Sequence, residues 1–202
     1  MDRCLLCDKE LSYKANLYEL MFIEDIICFN CRNSWIKNNK KYFIKGFKVD
    51  STYIYEENFS KALLQYKECF DEALYNIFLY RHIEIFKIKY YGYTLIPMPS
   101  SKEALEKRGF NHLIKIFKDT NLNIEDVLYK SEDIKQMNQD LKERSNIKNV
   151  IKIKDITLPK KVVLVDDVCT TGSTLSSAID LIKPKVKKLK IYTISTNHKN
   201  VI

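Results

Sequence analysis

The residues best suited to chemistry in this 202-residue chain are two adjacent acids, Asp166 and Asp167. They follow the apolar run Val162 to Val165, which is typical of a central strand in a parallel sheet. Such a strand delivers both acids to the carboxyl edge of the sheet, where open α/β proteins bind ligands. Because neighbouring side chains on a strand point to opposite faces, we expect at least one carboxylate to enter the crevice at that edge. Carboxylates there can accept hydrogen bonds from sugar hydroxyls, directly or through Mg²⁺ and its waters.

A loop of small polar residues comes next and leads into an amphipathic segment. This phosphate loop consists of Thr170, Thr171, Gly172, Ser173 and Thr174. Hydroxyl groups and accessible backbone N–H groups at the start of a helix form a binding site for an anion. Acids for a ribose, followed at once by a loop for its phosphate, predict a ribose-5-phosphate site.

Other phosphate-binding motifs fit less well. A P-loop requires Gly-Lys-Ser/Thr after its spacer, and no lysine lies between Val162 and Ile182. The chain contains no GxGxxG. A receiver domain also has an acidic pair after an apolar strand, but that pair opens the domain, whereas only 35 residues follow Asp167 here.

Four of the six cysteines form two C-x2-C pairs, Cys4 with Cys7 and Cys28 with Cys31. Two such pairs can complete a tetrahedral Zn²⁺ site with no open position, which is a structural site. Metal binding would supply folding free energy that about 30 residues cannot obtain from a small core. Two disulfides are the alternative, and a reducing compartment disfavours them. Cys69 and Cys169 are left over, and we expect both to be small buried apolar residues.

Composition describes a globular protein with a basic bias. The hydrophobic fraction is 46%, and 34 Lys and Arg against 26 Asp and Glu give a net charge of +8, which favours phosphates, nucleic acid or anionic lipid as partners. Part of the excess lies after Asp180, in a tail with six lysines and no acid, interpreted as a solvated face beside a last strand. The start of the chain lacks the form of a secretion signal, and no long apolar run occurs, so we expect a cytoplasmic protein.

Strands and helices are predicted to alternate, which indicates an α/β fold with a mainly parallel sheet covered on both faces. The predicted strands cover residues 47–55, 93–99, 123–131, 162–168 and 188–196, and the predicted helices cover residues 59–87, 102–118 and 173–183. Ser100 or Ser101 is expected to cap the second helix. The predicted domains are a cysteine module with its linker at residues 1–50 and the α/β domain at residues 51–202.

Four parts of the chain carry a family resemblance. The stretch VVLVDDVCTTGST, residues 162–174, resembles the thirteen-residue signature of type I phosphoribosyltransferases. The four-cysteine knuckle, the stretch IPMPSSKEALEKRGFNH at residues 96–112, and the segment from Gln136 to Arg144 with Asn146 resemble the ComF competence-protein family. His112 stands where that family usually has Gln. The resemblance implies a sheet of the type I phosphoribosyltransferase kind with a small N-terminal four-cysteine zinc module.

The resemblance also implies phosphoribosyl pyrophosphate with Mg²⁺ as ligand. Asp166 and Asp167 would hold the ribose hydroxyls and, through water, Mg²⁺, and Lys102 or Arg108 would add positive charge near the pyrophosphate. A helix-surface position is the alternative for Arg108. The pyrophosphate loop would be Met98, Pro99, Ser100, Ser101 and Lys102. The 5-phosphate would be held by the phosphate loop together with Val168 and Cys169, which precede it.

For function, the resemblance implies natural DNA transformation, in which incoming single-stranded DNA is handled alongside other competence proteins. A nucleobase-salvage phosphoribosyltransferase and a DNA-binding adapter with a vestigial nucleotide site stay open, and the residues do not decide whether turnover occurs. Near the knuckle, the rings of Phe29 and Trp35 with Lys37, Lys40 and Lys41 could contact single-stranded DNA by stacking and phosphate binding. Packing of Trp35 over the cysteines is the alternative.

Overall fold

The computed structural model describes residues 3–11, 25–131 and 150–197. Its main sheet has five strands in the order β1-β2-β7-β6-β3, and a separate antiparallel pair is formed by β4 and β5. In the main sheet β1 pairs antiparallel with β2, and every other pairing is parallel. The expected mainly parallel α/β architecture is therefore confirmed. The strands are β1 (Tyr42–Ile44), β2 (Phe47–Ile54), β3 (Thr94–Pro97), β4 (Leu128–Ser131), β5 (Val150–Ile153), β6 (Lys161–Cys169) and β7 (Lys188–Thr196).

The helices connect these strands and cover the sheet. They are α1 (Phe29–Asn33), α2 (Glu57–Glu68), α3 (Ile83–Lys89), α4 (Lys102–Arg108), α5 (His112–Phe117) and α6 (Ser173–Ile182), with 3-10 turns at Glu72–Asn76, Lys118–Thr120 and Lys183–Lys185. In β6 the side chains of Val162 to Val165 are at most 1% exposed, because both faces of this strand are covered. On one face Phe86 of α3 and Phe117 of α5 pack against Tyr192 of β7.

The long helix predicted for residues 59–87 is interrupted. Helix α2 ends at Glu68, and Phe70 adopts a left-handed backbone conformation with φ of 59°. The buried periodicity nevertheless continues, since Leu74 and Ile77 on the following 3-10 turn are fully buried. The expectation that Cys69 is buried is wrong, because Cys69 lies at this turn and is exposed, whereas Cys169 is buried as expected.

Short segments pair with β2 and β3 at the two sides of the main sheet. Strand β1 pairs with the start of β2, and residues 36–38 pair with the end of β2 on the same side. The backbone N–H of Asn38 donates to the carbonyl of Thr52, and that of Ile54 donates to the carbonyl of Ile36. On the other side, Leu95 of β3 exchanges backbone hydrogen bonds with Asn123 and Glu125. The predicted domain boundary at residue 50 falls inside strand β2, and the division of the chain into two domains stays a prediction. Within the described residues, none of the helices combines enough length and apolar character to cross a bilayer.

Candidate functional site

Two loops meet at the carboxyl edge of the parallel strands. Pairing between β3 and β6 ends at Pro97 and Val165, whereas pairing between β6 and β7 continues to Cys169. The backbone N–H of Met98 donates to the carbonyl of Val165 (2.9 Å), which ties the chain leaving β3 to β6. Asp166 to Cys169 therefore extend beyond the last pair with β3, beside the pyrophosphate loop. Asp166 and Asp167 are the sixth and seventh of the nine residues of β6.

The phosphate loop turns sharply into α6 at Gly172. This glycine is the N-cap of α6 and has a φ of 74°, and a Cβ added to it would lie 2.6 Å from Cδ1 of Ile44. The hydroxyl groups of Thr171 and Ser173 lie 3.1 Å apart. Since the first turn of a helix leaves backbone N–H groups without intrahelical acceptors, this loop can receive an anion. The loop residues Thr170, Thr171, Ser173 and Thr174 are exposed.

The two residues between the aspartates and this loop have different surroundings. Val168 is half-buried and Cys169 is 1% exposed. Burial, and secondarily the charge of Asp166, raises the pKa of the Cys169 thiol to about 11. Cys169 is thus a neutral, packed side chain, and its backbone is the part that can contact a ligand.

The two aspartates differ in environment. Asp167 is 6% exposed, and its Oδ2 accepts hydrogen bonds from Nζ of Lys67 (2.6 Å) and from Nε2 of His112 (2.8 Å). Burial alone would raise the pKa of Asp167, but Lys67 and His112 bring it well below the usual value. Asp166 points to the opposite face, is half-buried, and accepts the backbone N–H of Asp167 at Oδ1 (2.9 Å). Burial and the neighbouring charge of Asp167 raise the pKa of Asp166 well above its usual value.

Contacts on both ring nitrogens fix the tautomer of His112. Nη1 of Arg108 lies 3.0 Å from Nδ1 of His112. A guanidinium group can only donate, so Nδ1 must accept, and the ring proton lies on Nε2, which donates to Asp167. Burial is the main cause that lowers the pKa of His112, and the cations Lys67 and Arg108 add to it, so the ring is neutral. A glutamine at this position would offer the same donor and acceptor.

The two cations expected near the pyrophosphate are placed differently. Arg108 is buried, and its Nε donates to the backbone carbonyl of Lys67 (2.9 Å), so the helix-surface alternative is wrong. Lys102 is exposed and lies 3.7 Å from Glu106. Within the pyrophosphate loop, Ser101 caps α4 by accepting the N–H of Ala104 (3.2 Å).

The backbone N–H groups of the pyrophosphate loop are unequal. Met98 uses its N–H within the sheet, and Pro99 has none. The groups that remain to bind an anion belong to Ser100, Ser101 and Lys102. The hydroxyl of Ser100 also lies 3.3 Å from Nδ1 of His112.

Sequence reasoning missed the contribution of α2. Tyr66 donates its hydroxyl to the carbonyl of His112 (3.0 Å), and Lys67 contacts both Asp167 and Arg108. Lys67 lies 100 residues from Asp167 along the chain, so no spacing pattern could have paired them. The one available signal was that a buried carboxylate requires a cation. A cavity of about 190 Å³ opens beside these residues and is lined by Lys67, Glu68, Phe70, Ser101, Glu103, Ala104, Lys107 and Arg108.

The four cysteines of the C-x2-C pairs form a thiol cluster. Their sulfur atoms all lie within 4.8 Å of one another, and those of Cys7 and Cys28 are 3.7 Å apart. Tetrahedral Zn²⁺ with bonds of about 2.3 Å separates its sulfur ligands by about 3.8 Å, so the cluster fits that ion. The backbone N–H of Cys28 donates to Sγ of Cys4 (3.2 Å), as expected for a thiolate ligand. Burial alone would raise the pKa of Cys4, but this and other backbone donors bring it to about 7. The cluster could therefore hold a metal ion such as zinc.

A buried ion pair joins the cysteine module to the rest of the protein. Asp25 accepts a hydrogen bond from Arg32 of α1 (2.6 Å) and lies 3.5 Å from Nη1 of Arg81. Trp35 is 5% exposed and stacks on Phe78 (5.9 Å between ring centroids). It lies in the aromatic core and is therefore unavailable for stacking on a base, whereas its packing over the cysteines stays a prediction. The ring of Phe29 remains partly exposed beneath the guanidinium of Arg32, and Lys37, Lys40 and Lys41 are exposed.

The remaining segment of the family resemblance, from Gln136 to Arg144 with Asn146, lies outside the described residues.

Comparisons with known proteins agree with this geometry. Residues 110–200 match the family model of the phosphoribosyl transferase domain. The chain is 27% identical over 218 residues to competence protein ComFC of Streptococcus pneumoniae (strain ATCC BAA-255 / R6), covering 95% of this chain and 99% of the relative. It is 23% identical over 219 residues to competence protein ComFC of Bacillus subtilis (strain 168), covering 93% of this chain and 91% of the relative.

Among solved structures, a hypoxanthine phosphoribosyltransferase of Staphylococcus aureus in a tetragonal crystal form superposes with a TM-score of 0.42 and 17% identity, covering 64% of this chain and 67% of that one. Residues 110–200 thus resemble a phosphoribosyl transferase domain, and nearly the whole chain, including the four-cysteine cluster, is similar to two ComFC competence proteins.

Proposed function

We propose that this chain is a competence protein that binds phosphoribosyl pyrophosphate with Mg²⁺ at the carboxyl edge of its parallel sheet. The observation that carries the proposal is the meeting of the two predicted loops. The Met98 to Val165 hydrogen bond holds the pyrophosphate loop beside the aspartates, and Gly172 then turns the chain into α6. A diphosphate, a sugar and a 5-phosphate can thus contact one continuous edge.

Each part of the ligand has residues of suitable chemistry in this proposal. The half-buried Asp166 and the buried Asp167 accept the ribose hydroxyls, and Asp166 is the more accessible of the two. The phosphate loop binds the 5-phosphate through backbone N–H groups of the α6 start, with Val168 and Cys169 supplying backbone contacts. The amides of Ser100, Ser101 and Lys102, with the exposed Lys102 ammonium, bind the pyrophosphate. Mg²⁺ bound with the ligand would neutralise part of the diphosphate charge.

Turnover, if it occurs, is displacement of pyrophosphate at the anomeric carbon. The bond from that carbon to the pyrophosphate oxygen breaks, the acceptor forms a bond to the same carbon, and pyrophosphate leaves as an anion. The protein would assist by binding charge that grows on the leaving group and by holding the sugar with Asp166. No side-chain nucleophile is part of this mechanism.

The competence role rests on the two full-length relatives, whose names describe competence proteins. Handling of single-stranded DNA, cooperation with other competence proteins and a cytoplasmic location belong to the same proposal. The thiol cluster contributes structural Zn²⁺, because four cysteines leave no open coordination position for chemistry.

A second candidate is an adapter that binds the sugar phosphate without turnover. It is favoured by one observation: Oδ2 of Asp167 already receives hydrogen bonds from Lys67 and His112, so that oxygen is committed to the protein. A nucleobase-salvage transferase remains as an outcome of the test below.

The decisive experiment is calorimetric titration of the purified protein with phosphoribosyl pyrophosphate and Mg²⁺, with and without an oligonucleotide. We expect binding that falls at least tenfold in Asp166→Asn, because a carboxylate that accepts sugar hydroxyls is lost. Asp180→Asn is the matched control, since Asp180 lies on the exposed side of α6 and pairs with Lys45. Equal affinities for wild type and Asp166→Asn would refute the ribose assignment.

Pyrophosphate release separates the candidate functions. Release that depends on an added free purine or pyrimidine would favour salvage. Binding without release favours a competence protein that uses the ligand as a signal or structural factor.

A further inference from the structure

The amino edge of the parallel sheet, opposite the sugar-phosphate site, carries a dense group of lysines. We call this region the lysine surface. It consists of Lys48, Lys89, Lys160, Lys161, Lys183, Lys185, Lys187, Lys188 and Lys190. All are exposed except Lys190, which is half-buried. The sequence pattern had suggested only a solvated face for the five of these that lie in the tail.

Contacts show that these lysines lie together. Lys187 and Lys188 donate their backbone N–H groups to the carbonyl of Lys160 (2.9 and 3.0 Å), and Lys188 pairs directly with Lys161 across β6 and β7. Nζ of Lys190 donates to the carbonyl of Lys89 (3.3 Å). The starts of β2, β7 and β6 therefore place lysines on neighbouring strands, about 4.8 Å apart.

Helix ends extend the surface on its sides. Lys183 follows α6, and its ammonium lies 5.5 Å from the ring centroid of Phe47, the residue before Lys48. Lys185 borders a cavity of about 450 Å³ that is also lined by Asp155 to Leu158.

Few acids offset this charge. Asp50 lies within the surface but is bound by Lys48 (3.1 Å), Lys89 (2.8 Å) and the hydroxyl of Tyr90 (2.9 Å). These contacts hold the pKa of Asp50 below its usual value despite burial. Asp155 lines the cavity beside Lys185 and is exposed. Asp50 engages only two of the nine lysines, so positive charge predominates on this surface.

Aromatic rings lie among the lysines. The side chain of Tyr91 is 84% exposed and follows α3 directly. Tyr93 lies beneath the ammonium groups of Lys190 (4.6 Å) and Lys161 (5.8 Å). Exposed cations with an accessible ring are the combination that binds single strands, through phosphate contacts and base stacking.

We propose that the lysine surface binds single-stranded nucleic acid, with phosphates on the lysines of the strand starts and a base stacked on Tyr91. This inference rests on the DNA-handling part of the proposed function and replaces the knuckle as the contact site, because Trp35 is buried in the core. Across the sheet the lysines follow one another from strand to strand, an arrangement that suits a linear polyanion. Ile85 and Ile88 are exposed on α3 beside the surface, so an anionic bilayer is the competing occupant.

The test is fluorescence anisotropy with a labelled oligothymidine at several salt concentrations. We expect the K160E/K161E/K187E/K188E variant to lose at least tenfold in affinity. The slope of log affinity against log salt should fall by roughly 0.7 for each phosphate contact removed. The matched control is K37E/K40E/K41E, which reverses exposed lysines near the cysteine module and should bind like wild type. Loss of affinity in the control alone, or unchanged affinity in the fourfold variant, would overturn the proposal.

Two further measurements keep the outcomes distinct. The fourfold variant should bind phosphoribosyl pyrophosphate like wild type, because that ligand is proposed at the opposite edge, and this also shows that the variant is folded. Failure of wild type to bind this ligand, with oligonucleotide binding intact, would sink the sugar-phosphate proposal alone. Co-sedimentation with phosphatidylserine vesicles, lost in the fourfold variant while wild type ignores the oligonucleotide, would overturn the nucleic-acid proposal in favour of a lipid surface.

The role of Tyr91 is tested by Tyr91→Ala. Its affinity for oligothymidine should fall several-fold, whereas its affinity for an abasic strand of the same length should stay unchanged, since only stacking is removed. Equal losses on both strands would show that Tyr91 does not stack on a base.

Discussion

Cations at the two ends of the parallel strands are used in opposite ways. At the carboxyl edge, Lys67 and Arg108 contact Asp167, His112 and backbone carbonyls. At the amino edge, Lys187 and Lys188 are exposed, and like charges lie side by side on neighbouring strands. Burying a charge is costly unless it is paired and hydrogen-bonded, whereas an exposed lysine contributes little to stability. The paired, buried cations of the carboxyl edge stabilise the fold, whereas the exposed lysines of the amino edge keep positive charge available to bind a partner.

The thiol cluster is a third case, in which the protein supplies only one sign of charge. Replacing Cys28 with Ser removes one ligand from the proposed zinc site, and we expect this to have the largest effect. Structural zinc contributes on the order of 10 kcal/mol to the folding of small modules. Bound zinc, measured by elemental analysis, should fall below one ion per chain, and residues near the cluster should become susceptible to proteolysis. Cys69→Ser is the control, and unchanged zinc in Cys28→Ser would contradict four-thiolate coordination.

The contrast between the two edges predicts that the same substitution has unequal costs. Lys67→Met leaves the buried Asp167 without its ammonium partner and should lower the free energy of unfolding by about 3 kcal/mol, near the low end for a broken buried pair because a quarter of the Lys67 side chain is exposed. Lys187→Met at the amino edge should change it by less than about 0.5 kcal/mol. Urea unfolding monitored by circular dichroism measures both. Equal losses of unfolding free energy in the two variants would contradict the contrast between the buried and the exposed lysines.

The two aspartates should also respond in opposite directions. The pKa of Asp166 is raised in the folded protein, so its ionisation opposes folding at neutral pH. Asp166→Asn should therefore raise the free energy of unfolding at pH 7 by on the order of 1 kcal/mol, even though it weakens ligand binding. This gain should vanish below the unfolded pKa of about 3.9, where the carboxyl is protonated in both states. A destabilised Asp166→Asn at pH 7 would show that this carboxylate is held by favourable contacts.

The smallest effect concerns His112. Its pKa is lowered on folding, so the unfolded chain binds a proton near pH 6.5 while the folded protein does not. The wild type should then lose up to about 0.7 kcal/mol of stability between pH 7 and pH 6 from this residue, and His112→Gln should lose less. Unfolding midpoints at the two pH values measure the difference. The half-buried His82, whose pKa is also lowered, contributes in the same direction, so some dependence remains in the variant. An identical pH dependence in both proteins would mean that His112 is not kept neutral by folding.

The sequence predicted elements well where burial alone determines them. Val162 to Val165 are covered on both faces, so their uninterrupted apolar run indicates a central strand directly. The helix break at Phe70 could not be predicted, because the buried periodicity of Leu74 and Ile77 continues on a 3-10 turn.

Within the site, local sequence motifs identified the pyrophosphate loop and the phosphate loop, but not the distant residues that contact Asp167. Gly172 and Ser101 act through neighbours in the chain, and their capping positions follow from residue type. Lys67 acts on Asp167 through the tertiary fold, and the neutral state of His112 depends on Arg108 at one nitrogen and Asp167 at the other. Such pairings require the three-dimensional arrangement.

The covered edges of the main sheet have a consequence for self-association. An open strand edge offers its backbone groups to another chain, which leads to strand addition and aggregation. Here residues 36–38 and β1 occupy the edge of β2, and Asn123 with Glu125 occupies that of β3. Strand addition at β2 or β3 would first have to displace these segments, and repulsion between lysine surfaces opposes contact between copies at the amino edge.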